Sequence, residues 1–229
     1  MTGLTPDDWA ALMLSLKVSL TATAVSLPVA VLTAWALARG RFIGRSLLDA
    51  LVHLPLVLPP VATGYALLVL FGHNGVLGRW LAKVGVNFAF DWKGAALAAA
   101  IMAFPLMVRP IRLAIEAIDI EVEEAARTLG ARRWQRFARV TLPLAMPGVV
   151  AGLVLGFAKA LGEFGATITF VAAIPGESLT LPAAIYQAVQ QPGGEARAFT
   201  LCVVAAAVAV SAVLVSNLLA GRAERRTRA

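Results

Sequence analysis

The chain has 229 residues, 59% of them hydrophobic and only 14% charged, against roughly 45–50% and 25% in soluble domains. With Lys and Arg exceeding Asp and Glu by twenty to thirteen, the net charge is +7, and the excess must sit somewhere specific. Disorder, a disulfide-stapled secreted module (Cys202 is the one cysteine) and a soluble enzyme are excluded; the chain reads as an all-α integral membrane protein.

Apolar stretches long enough to cross a bilayer as helices occur at 12–38, 47–71, 94–118, 147–171 and 199–220, so residues 11–220 form one membrane domain of five transmembrane helices. The runs are continuous and rich in Ala, Leu and Val, unlike the alternating strands of a barrel. The first run is read as a span and not as a signal peptide, because Asp7 and Asp8 precede it and no basic residue comes before Lys17. Lys17 is expected to snorkel to the interface. Pro55, Pro59 and Pro60 interrupt the second run, and Pro105 and Pro110 the third. In the fourth, Gly148, Gly152 and Gly156 fall on one helical face, a pattern that allows close helix packing. The segment 175–194 is semi-apolar and is expected to be a short or re-entrant helix near the outer face.

Basic residues orient the spans. Arg39, Arg41 and Arg45, the seven arginines from Arg109 to Arg139, and Arg222, Arg225, Arg226 and Arg228 all fall on one side. That side is the cytoplasm by the positive-inside rule, which puts the N-terminus outside and the C-terminus inside.

The longest polar stretch on the inner side is 119–143. Val122, Ala125, Ala126 and Leu129 recur at helical spacing, Glu121, Glu123 and Glu124 cluster in the opening turns, and Gly130 suits a C-terminal cap. Glu123 and Arg127 are spaced for an i,i+4 pair. A second short helix comes next, with Trp134 and Phe137 apolar among arginines. Basic amphipathic helices lie on anionic membrane lipid, which accounts for the second half of the segment. Three acids followed by two alanines and a glycine fit a protein groove better.

Glu124-Ala125-Ala126, three residues, Gly130, nine residues, Val140, one residue and Leu142-Pro143 resemble the EAA signature of binding-protein-dependent ABC importer permeases, with Val140 where the family usually has isoleucine. The resemblance implies a type I permease bundle with cytoplasmic coupling helices that dock on a separate ATP-binding subunit through Glu124, Ala125, Ala126, Gly130, Leu142 and Pro143. Residues 53–60, 104–109 and 161–167 look like the corresponding parts of molybdate permease subunits, and the shorter chain sets it apart from the similar sulfate and thiosulfate permeases. The resemblance further implies a multi-pass protein of the bacterial inner membrane. Two copies would form the pathway, with two ATP-binding subunits and an extracytoplasmic molybdate-binding protein as partners. Sulfate, thiosulfate or tungstate is the alternative cargo, and a membrane scaffold recruiting an ATPase is the alternative of another class.

No phosphate-cradling P-loop pattern occurs, His53, His73 and Cys202 stand alone, and no catalytic residue, metal site, cofactor or nucleic-acid partner is expected. Lys159 and Glu163 lie one turn apart within the fourth span, where charge is expensive. They are read first as a neutralising pair fixing a bend beside Gly162 and Gly165, and second as part of the anion pathway.

Overall fold

The computed structural model describes the backbone of residues 4–227 and the side chains of residues 4–212 and 214; the charges expected on Arg222, Arg225, Arg226 and Arg228 lie outside the described side chains. Helix α1 (Pro6–Arg39) starts at Thr5, whose hydroxyl accepts from Asp8 N while the Asp8 carboxylate accepts from Thr5 N, a reciprocal cap. It runs unbroken through Pro28. The span expected at 47–71 is two half-helices, α2 (Arg45–Val57) and α3 (Pro60–Phe71), bent by 112°. Pro59 and Pro60 remove two successive N–H donors, and the residue before a proline avoids helical backbone, so Leu58 and Pro59 are extended. The short amphipathic α4 (Val76–Lys83), which the hydropathy pattern did not reveal, comes next with Trp80 exposed.

Helix α5 (Trp92–Glu116) begins at Asp91, whose carboxylate accepts from Lys93 N at 3.0 Å. Contrary to expectation, Pro105 and Pro110 do not interrupt it. Packing by α1 on one side and the glycine face described below on the other holds it across the missing donors. The polar segment forms α6 (Ile120–Thr128), α7 (Arg133–Arg136), a π-helical turn (Phe137–Thr141) and α8 (Leu142–Leu144). The fourth span is likewise divided, into α9 (Met146–Leu161) and α10 (Gly165–Val171), and α11 (Leu181–Gln190) and α12 (Glu195–Thr227) complete the chain. Among the described residues three helices are long and apolar enough to cross a membrane, and up to five spans result when each bent pair, α2 with α3 and Arg133–Leu144 with α9 at 71°, counts as one.

Contacts fix the direction of each crossing. Lys17 of α1 sits over the Trp92 ring at the start of α5, and Arg39 at the end of α1 donates to Ile118 O just beyond α5, so α1 and α5 run parallel. Asp8 pairs with Arg197 at the start of α12, which therefore descends from the same end. Through α2 and α3 the chain returns from Glu116, which faces Arg45, to Phe88, which packs on Phe71. Helix α9 rises antiparallel to α5, with Gly148 beside Ala114 and Gly156 beside Met107.

Helix α5 is central, packing on α1, α9 and α10. Gly148, Gly152 and Gly156 face it with no side chain between: a Cβ at Gly152 would stand 2.7 Å from Met107 O, and one at Gly148 2.7 Å from Pro110 O. The two breaks also meet, since a Cβ at Gly165 would lie 2.7 Å from Pro60 Cβ and Gly64 abuts Ala166. Substituting Gly152→Leu should force α9 off α5 and cost about 1–3 kcal/mol, the usual penalty of overpacking. Thermal unfolding of the detergent-solubilised protein measures this, and a midpoint equal to that of the unsubstituted chain would contradict the packing described.

Candidate functional site

Polar chemistry concentrates at the α6 end of the bundle. The Asp119 carboxylate accepts from Glu121 N at 3.0 Å and opens α6. At the other end Gly130 N donates to Arg127 O and Ala131 N to Ala126 O, both at 3.0 Å, with Gly130 at φ +84°. This pair of bonds is a Schellman cap, and its left-handed residue favours glycine. No residue of α6 is fully buried. Only Glu123 and Ala126 turn partly towards the body of the protein, which leaves Ile120, Val122, Glu124, Ala125 and Leu129 exposed, Leu129 to 89%.

Glu123 does not pair with Arg127. Its carboxylate accepts from Arg39 Nε at 3.2 Å and from Thr141 Oγ1 at 2.8 Å. A tertiary partner with a fixed guanidinium outcompetes the i,i+4 neighbour, whose pairing contributes only about 0.2–0.5 kcal/mol on an exposed helix. Arg39 and Thr141 are therefore partners of α6 that sequence spacing does not reveal, lying 84 and 18 residues from Glu123.

After α6 the chain is anchored by Phe137, buried between Trp35 at 4.8 Å and the half-exposed Trp134 at 5.0 Å, while the Arg133 guanidinium lies over the Trp35 ring. In a regular helix the Pro143 ring would collide with the Arg139 carbonyl; the π turn, in which Leu142 N reaches back to Phe137 O, makes room for it. Glu124, Ala125 and Gly130 thus share an exposed surface and Ala126 its edge. Pro143 is exposed elsewhere, and Leu142 packs into the core around Phe137 and Met107.

The second constellation lies at the break between α9 and α10. Glu163 is 2% exposed; one carboxylate oxygen pairs with Lys159 Nζ, and the other accepts from Ala166 N at 3.0 Å, closing the first turn of α10. Gly162 terminates α9, and Gly165 starts α10 against Pro60. Elsewhere, a groove of about 450 Å³ between α1, α9 and α12 is lined by Leu20, Leu153, Phe157 and Val208. Its two hydroxyls, Thr23 and Ser211, already donate to Ser19 O and Ala207 O, so it offers an oxyanion no free donor set.

The exposed helical connection on an all-helical, repeatedly crossing bundle is the architecture of a transport permease. The family model described as "Binding-protein-dependent transport system inner membrane component" matches residues 26–229, and the chain belongs to that family. It is 55% identical over 218 residues, covering 95% of both chains, to the "Molybdenum transport system permease protein ModB" of Escherichia coli K12, and 52% identical over 217 residues to the protein of that name in Haemophilus influenzae. A "Sulfate transport system permease protein CysT" of E. coli is 49% identical over 137 residues, 60% of this chain and 50% of that one. The fold also matches a bacterial ABC transporter involved in alginate import, with a TM-score of 0.77 at 21% identity over 95% of this chain and 80% of that one. The MetNI methionine ABC transporter matches with a TM-score of 0.69 at 18% identity, over 96% and 95% of the two chains.

Removing one partner of a buried ion pair leaves an uncompensated charge and costs about 3–5 kcal/mol, whereas replacing both is milder. Lys159→Met, which strands the buried Glu163 carboxylate, should therefore lower the thermal midpoint more than the Lys159→Met/Glu163→Gln double variant. A double variant less stable than the single one would show that the pair does not act as a unit.

Proposed function

We propose that this chain is the membrane-spanning subunit of an importer that moves molybdate into the cytoplasm, driven by ATP hydrolysis on a separate subunit. The observation that carries this reading is the 55% identity to the E. coli molybdenum permease along 95% of both chains. The likeness to the sulfate permease covers only 60% of the chain, which favours molybdate over sulfate as cargo. Two copies form the pathway, with the N-terminus outside, the α6 end in the cytoplasm, and an extracytoplasmic binding protein delivering the anion at the α11 end. The concentration of arginines around α6 and α7 supports this orientation.

In this reading α6 is the docking helix. Glu124, Ala125, Ala126 and Gly130 present small side chains and one carboxylate to a groove on the ATP-binding subunit, and Leu142 and Pro143 set the return of the chain into the membrane. Nucleotide drives transport only if it binds one conformation of the assembly better than the other. Closure of the two ATP-binding subunits moves α6, and the broken spans re-orient between outward and inward openings. Lys159 and Glu163, with Gly162 and Gly165, form the hinge of the fourth span. Their mutual pairing leaves little free charge for the anion, so selectivity resides mainly in the binding protein.

Reconstituted with its ATPase and binding protein, the permease should take up molybdate in an ATP-dependent manner. Uptake of sulfate but not molybdate would overturn the cargo, and uptake that survives a hydrolysis-dead ATPase would make the protein a passive channel. Docking has a sharper test, because a Cβ at Gly130 meets nothing within 4 Å. Gly130→Ala and Gly130→Trp share the same left-handed strain of about 1–2 kcal/mol, so only a partner surface distinguishes them. Gly130→Trp should reduce the co-purified ATPase at least tenfold relative to Gly130→Ala, and equal recovery would exclude Gly130 from the contact.

A further inference from the structure

Helix α6 carries no fully buried residue, so its position depends on polar contacts rather than on a core of its own. The Glu123 carboxylate gathers Arg39 Nε at 3.2 and 3.3 Å on its two oxygens and Thr141 Oγ1 at 2.8 Å, and Arg39 Nη2 donates to Ile118 O at 2.7 Å. One guanidinium and one carboxylate, with side chains only 17% and 14% exposed, thus join the end of α1, the α5–α6 link, α6 and the π turn. Charge-assisted bonds of this kind are about twice as strong as neutral ones, and partial burial shields them from salt.

The opposite end of α1 is held in the same way. Asp8, 2% exposed, accepts from Nε and Nη2 of Arg197 at 3.0 and 2.7 Å, which fixes α1 to the start of α12. About two turns further on, Ser15 Oγ accepts from Leu181 N at 2.6 Å, which fixes it to the first turn of α11. Both clamps lie on one unbroken helix of 34 residues, about 50 Å long at 1.5 Å per residue. A helix clamped at both ends passes a tilt or a push along its axis without any rearrangement between them.

We propose that α1 is a strut that carries displacement of α6 across the membrane to α11 and α12, with Arg39, Glu123 and Thr141 as its inner clamp and Asp8 and Arg197 as its outer one. This rests on the reading of α6 as the docking helix. Arg39, Glu123 and Asp8 are positioning residues: they touch neither cargo nor nucleotide, and they decide how much of the ATPase movement reaches the far side.

The test uses the complete importer in proteoliposomes and reads molybdate imported per ATP hydrolysed, together with the amount of ATPase retained. Arg39→Met and Glu123→Gln should each keep the ATPase bound and lower the ratio about tenfold, as loss of a charge-assisted bond implies. The double variant should fall by the same factor rather than by the product, because both act through one contact. Arg39→Lys, which keeps the charge but not the fork that reaches both Glu123 and Ile118 O, should fall between Arg39→Met and the unsubstituted importer, and the retained ATPase separates loss of the clamp from misfolding. Asp8→Asn, at the far clamp, should lower the ratio at least about fivefold with the ATPase still bound.

An unchanged ratio in Arg39→Met and Glu123→Gln, a multiplicative double variant, or an unaffected Asp8→Asn importer would overturn the strut. Loss of the ATPase from Glu123→Gln would overturn it too, by making Glu123 a docking residue. If the unsubstituted importer moves no molybdate, the functional reading fails instead. ATP-driven displacement of a label at Ala10 or Val189 relative to α6 then still tests the strut: movement that Glu123→Gln abolishes supports it, and movement that persists overturns it.

Discussion

The approach of α9 to α5 through Gly148, Gly152 and Gly156 is the contact on which the other placements depend. In a bilayer the lipid tails are as apolar as the helices, so association rests on dense packing and hydrogen bonds rather than on escape from water. A glycine face gives α9 that density directly on the α5 backbone, against Pro110 O and Met107 O. Helix α9 meets a polar feature at each end. The α6–α8 connection enters it at Met146, and the Lys159–Glu163 pair closes it before α10. Fixing α9 on α5 therefore sets the distance between the exposed helix α6 and the break between α9 and α10.

The apolar surroundings also govern where charge can sit. The long-range ion pairs Asp8–Arg197 and Arg39–Glu123 stand at opposite ends of α1, where partly solvated side chains lose less on burial than they would midway. Arg112–Asp49 joins α5 to α2 within their spans, and Lys159–Glu163 lies within the fourth. It is tolerated because the carboxylate also serves the backbone, its other oxygen satisfying Ala166 N, a donor orphaned by the break between α9 and α10. A carboxylate with one bond to a cation and another to a helix start is held in place.

Hydropathy was enough to read the all-helical membrane class and the location of the exposed connection, because lipid forces those properties onto composition. The first helix of the polar segment and its glycine cap were legible because both are local: the run of acids and Gly130 act within one turn of their own backbone. What stayed hidden was tertiary. Nothing in the spacing of Glu123 indicates that it abandons Arg127 for Arg39, and a proline pair looks much the same in sequence whether it bends a helix by a few degrees or, as at Pro59 and Pro60, by 112°. Pro105 and Pro110 show the converse, being absorbed by a helix packed on both sides. Helix α4 escaped because eight residues with Arg79, Trp80 and Lys83 have too little apolar length to register as a hydropathy run.

The two broken spans are not independent kinks. Pro60 begins α3 against Gly165, which begins α10, and Gly64 continues the contact at Ala166 and Thr169, so the two half-helices start together and run side by side. Helix α10 is in turn bound to α9 through Glu163 and Lys159. Turning α10 without α9 would strand a buried carboxylate, and turning it without α3 would drive backbone into backbone at Gly64. Close-packed elements of this kind pass between discrete arrangements instead of deforming gradually. The break in each span therefore joins α3 and α10 into one packed unit, and a displacement of either half-helix must carry the other with it.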